Sequence, residues 1–206
     1  MGWLFQNTKL RQETPAAYFT RLFTYDSQTM ASIVIAAAAV RSTVYAAVRH
    51  RDKLTGVSYV YCAVILFKNS NKDGFGYKDM DESAGPCEVD CPDRIMRLLS
   101  PVAELPHSKY AADWRARVEA HKARDATART RLGLLRPGQV IALHHPVSFE
   151  RGTLTVSRFR FLRMHKRTPI FEPTDRPGFR CRLTKYLLAT ATWDQAAGGR
   201  GITPAE

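Results

Sequence analysis

Cysteine is scarce: four in 206 residues, at positions 62, 87, 91 and 181. A chain this long with so few is not held by a disulfide framework. Long apolar runs are also missing. The opening MGWLFQNTKLRQ lacks the apolar core of a secretory signal. The run Met30–Val40 is about half the length a bilayer crossing needs. Gln6 stands where a myristoylation motif wants Ser or Thr. Together these absences predict a reducing, cytoplasmic setting and no membrane partner. There is no complete catalytic, nucleotide-binding or zinc signature and no internal repeat, so no cofactor is expected.

Acidic charge is short in one half only. Residues 1–100 carry 12 Lys/Arg against 10 Asp/Glu, and residues 101–206 carry 19 against 9, so +10 of the net +12 lies in the second half. Such an excess favours encounter with polyanions. An apolar fraction of 45% with 10% aromatics is enough for a packed core.

Gly2–Phe5 reads as a first strand or packed arm. Thr14-Pro15 is an N-cap and first helical residue, and Phe19, Leu22 and Phe23 continue a helix over 15–25. Ser32–Ala39 is ambiguous, its alanines favouring helix and its Ile33-Val34-Ile35 favouring strand. Thr43–Arg49 and Val57–Lys68 form a hairpin around the turn 51–56. The continuous apolar character of the second run predicts a central strand covered on both faces. A short helix follows over Asp93–Leu99. Ser108 caps a longer one to about Arg129, with Tyr110, Trp114 and Val118 as its buried stripe. Arg115, Arg117, Lys122, Arg124 and Arg129 are assigned to its solvated faces. Beyond residues 130–138 the pattern changes to short strands at Gln139–Leu143, Val147–Phe149, Thr153–Met164, Thr168–Phe171 and Phe179–Leu188. Gly152, Pro169, Pro173, Pro177 and Gly178 serve as turn residues between them.

The segment Gly74–Pro92, GFGYKDMDESAGPCEVDCP, stands out. Seven acidic side chains fall between Asp73 and Asp93. Asn69-x-Asn71-x-Asp73-Gly74 opens like a calcium loop, but its twelfth position is Met80 where a bidentate Glu is required, and a strand precedes it. Cys87-x3-Cys91 lacks the usual zinc spacing, and the adjacent His144-His145 does not complete it. No metal is therefore expected. Paired carboxylates can divide into acid and base, which makes Tyr77, Lys78, Asp79, Asp81 and Glu82 the catalytic candidates. The leading reading is structural. Here Gly74, Gly76 and Gly85, with Gly85-Pro86 and Cys91-Pro92, shape an ordered loop over a sheet edge. Its carboxylates bond backbone amides or arginines of the basic half, and Asp90 or Asp93 favours a helix start.

Arg158–Arg167, RFRFLRMHKR, interleaves cations with aromatics. On a strand Arg158 and Arg160 face one way, Phe159 and Phe161 the other. Cations contact phosphates and exposed aromatics stack on bases. The partner-binding candidates are Arg158, Arg160, Arg163, Lys166, Arg167, Arg180 and Arg182, with Arg176 and Lys185 nearby. The competing reading is a half-buried strand with a wet basic face. Convergence of both sets on one face would favour a polyanion site.

The start MGWLF, the segment FGYKDMDESAGPCEVDCPDRIMRLLSP and the later WRARV resemble an uncharacterised bacterial family found in phages, plasmids and other mobile elements. The resemblance covers roughly residues 1–120, and LRPGQVIAL is similar to the β-rich end of such proteins. It implies a mobile-element setting, in which small proteins often act on host nucleic-acid machinery or counter host defence, but it supplies no catalytic residues.

The expected fold is α+β: a mostly antiparallel sheet with two or three helices over residues 1–130, a small β-rich barrel-like basic subdomain over 131–194, and a flexible tail over 195–206. The leading functional expectation is a non-enzymatic mobile-element protein that binds nucleic acid or a host nucleoprotein complex, as an anti-CRISPR or antirestriction type of inhibitor. The alternatives are an enzyme using the Tyr77–Glu82 segment, and a protein-interaction module or homo-oligomer. Nothing in the sequence sets an oligomeric state.

Overall fold

The structure is a computed structural model of the chain. It describes residues 3–7, 12–69, 74–84, 88–106, 108–149, 152 and 154–193. The tail expected over 195–206, Gly2, the Asn71 and Asp73 of the calcium-like motif, the Gly85-Pro86 pair and Cys87 lie outside the described residues. The fold is α+β with antiparallel strand pairing, as expected. The chain forms two compact units, Met1–His121 and Lys122–Glu206.

The first unit is built on a six-stranded sheet. Its strands are β1 (Leu4–Asn7), β2 (Tyr25–Asp26), β3 (Met30–Val40), β4 (Thr43–Asp52), β5 (Ser58–Asn69) and β6 (Gly74–Asp81), in the order β1-β6-β5-β4-β3-β2. The ambiguous alanine run is strand: Ala36 and Ala37 of β3 pair with Ala47 and Ala46 of β4. Pairing with a neighbour overrides the helix propensity of alanine.

β5 lies in the interior of the sheet, and Cys62, Ala63, Val64 and Ile65 are buried in succession. One face, with Tyr45, Ala47, Cys62 and Val64, packs on Cys91, Ile95, Trp114 and Val118. The other, with Val44, Ile65, Phe75 and Tyr77, packs on Tyr18 and Phe19. Covering on both faces is why this strand reads as one continuous apolar run rather than an alternating one.

Tyr18 and Phe19 belong to helix α1 (Pro15–Leu22), started by Thr14, whose Oγ1 accepts from Ala17 N at 3.1 Å. Helix α2 is the single turn Asp93–Met96, with Asp93 in its first turn. Helix α3 (Ser108–Leu134) is longer than expected, and the division between the units falls within it. Its buried stripe holds Trp114 and Val118 as expected, but Ala111 takes the place of Tyr110, which is 58% exposed. At 100° per residue the i, i+3, i+7 set holds one face more closely than i, i+4, i+8.

The acidic segment is not a loop over its first half. Gly74–Asp81 is an interior strand between β1 and β5. A Cβ on Gly74 would stand 2.1 Å from the Gln6 carbonyl oxygen, so β1 can approach only because this residue is glycine.

The second unit has an open four-stranded sheet, β7 (Val140–Phe149), β8 (Leu154–His165), β9 (Thr168–Pro173) and β10 (Thr192–Trp193), in the order β10-β7-β8-β9. The two short strands expected over 139–149 are one strand with an irregularity between Ala142 and Val147. Pro169 and Pro173 lie within β9 rather than in turns. β9 ends the sheet order, where a missing donor is tolerated. The strand expected over Phe179–Leu188 is reduced to one bridge, Cys181 to Phe171. Thr184 Oγ1 then accepts from Leu187 N at 3.3 Å and starts helix α4 (Lys185–Thr190). The core is formed by Ile141, Val156, Phe159, Phe161, Phe171 and Leu188, closed by Ala128 and Leu135.

Candidate nucleic-acid interface

β8 alternates as its sequence dictates at first: Phe159 and Phe161 are buried, Arg158 and Arg160 exposed. Strict alternation would then put Arg163 on the Phe161 side. A bulge at Leu162 prevents this. Arg160 pairs with Glu172, Phe161 with Phe171, and Arg163 with Ile170. Glu172 and Ile170 are two apart on β9 and share a face, so Arg163 and His165 rejoin Arg158 and Arg160 on the side away from the core.

The bridge at Cys181 lays a second basic segment beside β9. The result is a cleft of about 510 Å³ lined by Arg163, His165, Ile170, Arg180, Cys181 and Arg182. Three of the expected binding residues, from two chain segments, are thus brought together. The nearby acid Glu172 is engaged already: it accepts from Arg160 at 3.4 Å and from Gly178 N at 3.1 Å. No carboxylate pairs with Arg163, Arg180 or Arg182 among the described residues. Burial pushes the Cys181 thiol up to about 11, so it stays protonated and neutral at physiological pH.

The other expected residues lie outside the cleft. Arg158 and Arg160 share its face but do not line it. Lys166 and Arg167 form the turn between β8 and β9, both exposed, with Lys166 at φ 55. His165 and Cys181 were not among the expected contacts. His165 sits inside the basic run and was within reach of the strand pattern once a bulge is allowed. Cys181 carries no such signal.

Of the acidic candidates only Asp81 and Glu82 line a common cleft among the described residues, and Tyr77, Lys78 and Asp79 lie apart from it. On β6 the residues Tyr77, Asp79 and Asp81 face one way and Lys78 the other, and Glu82 follows the strand. Tyr77 is buried, its hydroxyl 2.8 Å from that of Tyr18. Lys78 Nζ lies 5.2 Å over the Trp3 ring. Asp79 is half-buried opposite Ile65. Asp81 Oδ1 accepts from the amides of Ser83 and Ala84, each at 2.8 Å, and so closes the turn after the strand. Asp90 accepts from the Tyr45 hydroxyl. Burial, reinforced by Asp90, holds that phenol far above its ordinary range.

Glu82 is tied most fully. Its side chain is 1% exposed. Oε1 accepts from Cys62 N at 2.9 Å and from Arg115 Nη2 at 2.9 Å, and Oε2 accepts from Arg115 Nε at 2.7 Å. Arg115 Nη1 reaches Ser100 O at 2.7 Å. Arg115 was expected on a solvated face. It is instead an arginine that pairs with the acidic segment, the kind of contact the structural reading of that segment called for.

A small cleft of about 220 Å³ beside this pair is lined by His50, Tyr59, Tyr61, Asp81, Ser83 and Leu105, among others. Burial raises both phenols, Tyr59 and Tyr61, so they stay protonated. Sequence reasoning did not single out His50, Tyr59 or Tyr61, which come from strands apart from the acidic run. Among the described residues no group of three or more His, Cys, Asp or Glu gathers where a metal ion would need it, and no helix is long and apolar enough to cross a membrane.

Residues 106–186 match a domain of unknown function, DUF6927. The matched span includes β7, β8, β9 and the whole basic cleft. No curated protein and no solved structure matches the chain.

Proposed function

We propose that this is a non-enzymatic nucleic-acid-binding protein whose second unit takes the phosphate backbone in the cleft of Arg163, Arg180 and Arg182. The observation that carries the reading is convergence. Three arginines and a histidine from two segments meet in one cleft, and among the described residues no carboxylate pairs with those arginines. Arginine forks are matched to phosphate oxygens, and hydrogen bonds between charged groups are about twice as strong as neutral ones. The surrounding excess of cations adds long-range attraction that speeds encounter. The mobile-element setting implied by the N-terminal motifs suits such an activity, directed at host nucleic acid or a host nucleoprotein complex.

The test is fluorescence anisotropy with a labelled oligonucleotide. Each arginine removed is expected to weaken binding about tenfold, as for a charge-assisted hydrogen bond. The triple variant R163E/R180E/R182E should lose binding, while R97E in the first unit should keep it. Unchanged binding by the triple variant would remove the proposal.

A further inference from the structure

We infer that the apolar pocket next to the basic cleft receives an unpaired base, so that the ligand is single-stranded nucleic acid; the inference rests on the phosphate-binding reading above. The pocket holds about 460 Å³ and is lined by Leu132, Leu135, Pro137, Phe161 and Met164, with Arg163 as its polar wall. Arg163 also lines the basic cleft, so the two spaces meet at this residue.

Strand register explains why the pocket exists. β7 pairs with β8 no further than Val140 opposite Arg160. The chain before it adds two backbone bonds, Gly138 N to Phe161 O and Phe161 N to Gln139 O, each 2.8 Å. β8 continues to His165 beyond that point. The end of α3 and Pro137 stand where a further strand residue would pack, which leaves an apolar recess with Met164 at its mouth, 44% exposed.

An inorganic anion has no use for such a recess. A ligand that carries a phosphate and a flat apolar group one bond network apart uses both spaces. Base stacking on apolar and aromatic side chains contributes about 1–3 kcal/mol per base and tolerates any sequence. The planar guanidinium of Arg163 can cover the base face while its edge meets phosphate. In a duplex the base is stacked and paired, and drawing it out costs a few kcal/mol. The same site therefore selects unpaired strands.

The experiment compares three labelled ligands of about twelve nucleotides, a length within the range one small binding fold covers: oligo-dT, an abasic phosphodiester strand and a duplex. Oligo-dT is expected to bind about tenfold tighter than either of the others, and M164A should abolish that advantage while leaving abasic binding unchanged. Equal binding of oligo-dT and the abasic strand, both lost in R163E/R180E/R182E, would overturn the base pocket and leave phosphate binding standing. Equal binding of duplex and oligo-dT would overturn it too. Failure of all three ligands to bind would remove the phosphate reading itself. Binding to phosphatidylserine vesicles that M164A weakens, with oligo-dT binding left unchanged by M164A, would assign the recess to an acyl chain and overturn the inference.

Discussion

Glu82 and Arg115 show how a buried charge is tolerated: the carboxylate accepts three N–H bonds, two at Oε1 and one at Oε2. Removing one partner leaves the other uncompensated, at a cost of about 3–5 kcal/mol. E82A and R115A are each expected to lose that much in urea unfolding, and E82A/R115A should lose less than the sum, because the second removal deletes an orphan. Strictly additive losses would mean that the two residues act apart. The pair was half legible. The acidic segment announced carboxylates in search of partners, but its arginine lies 33 positions away on a helix where Lys109, Arg117, Arg124 and Arg129 are exposed and Lys122, expected on a solvated face, is half-buried like Arg131. Only the helix rotation distinguishes it from them.

Cys181 gives a residue-scale reading of the cleft. Its thiol is pushed up to about 11 by burial. Burial favours the neutral form, so the contribution to stability is intact below the ordinary thiol range near 8.5. It is lost as pH rises through the folded value. Iodoacetamide labelling followed by peptide mass analysis should show a Cys181 rate that climbs about tenfold per pH unit up to about 11. Oligonucleotide should protect the residue. A plateau near 8.5 would show a thiol in contact with water.

Elements were most legible where a local rule acts alone. Thr14-Pro15 marked its helix because a hydroxyl cap and a fixed φ need no distant partner. Thr184 obeys the same rule, yet the β-branched and aromatic residues around it suggested strand over 179–188. The cap prevails there because only Cys181 finds a pairing partner. T184A is expected to cost about 1 kcal/mol, read by thermal unfolding, and T184S to restore most of it. If T184A were neutral, α4 would be held by Leu188 packing rather than by its start. The two-residue strands β2 and β10 exist only by pairing with β3 and β7, and nothing in residues so few could announce them. The bulge at Leu162 is the costliest omission, since period-two alternation carried past it sends Arg163 into the core.

At the scale of the molecule, the charge distribution pointed to the half of the chain that carries the cleft. Ten of the twelve net positive charges lie in residues 101–206, and the cleft is found there. Composition could not say whether those cations act together or merely keep the surface wet. Salt dependence separates the two. For single strands, the logarithm of affinity falls against the logarithm of salt with a slope of about 0.7 per phosphate contacted. Three arginines on phosphate predict a slope near 2, and R163A should lower it by about 0.7. R41A, an exposed turn residue of the first unit, removes the same unit of net charge from +12 and should leave the slope unchanged. Equal slopes for the two variants would mean that net charge alone attracts the strand. A drop confined to R163A would mean that binding is local and that the bulge on β8 is what makes it so.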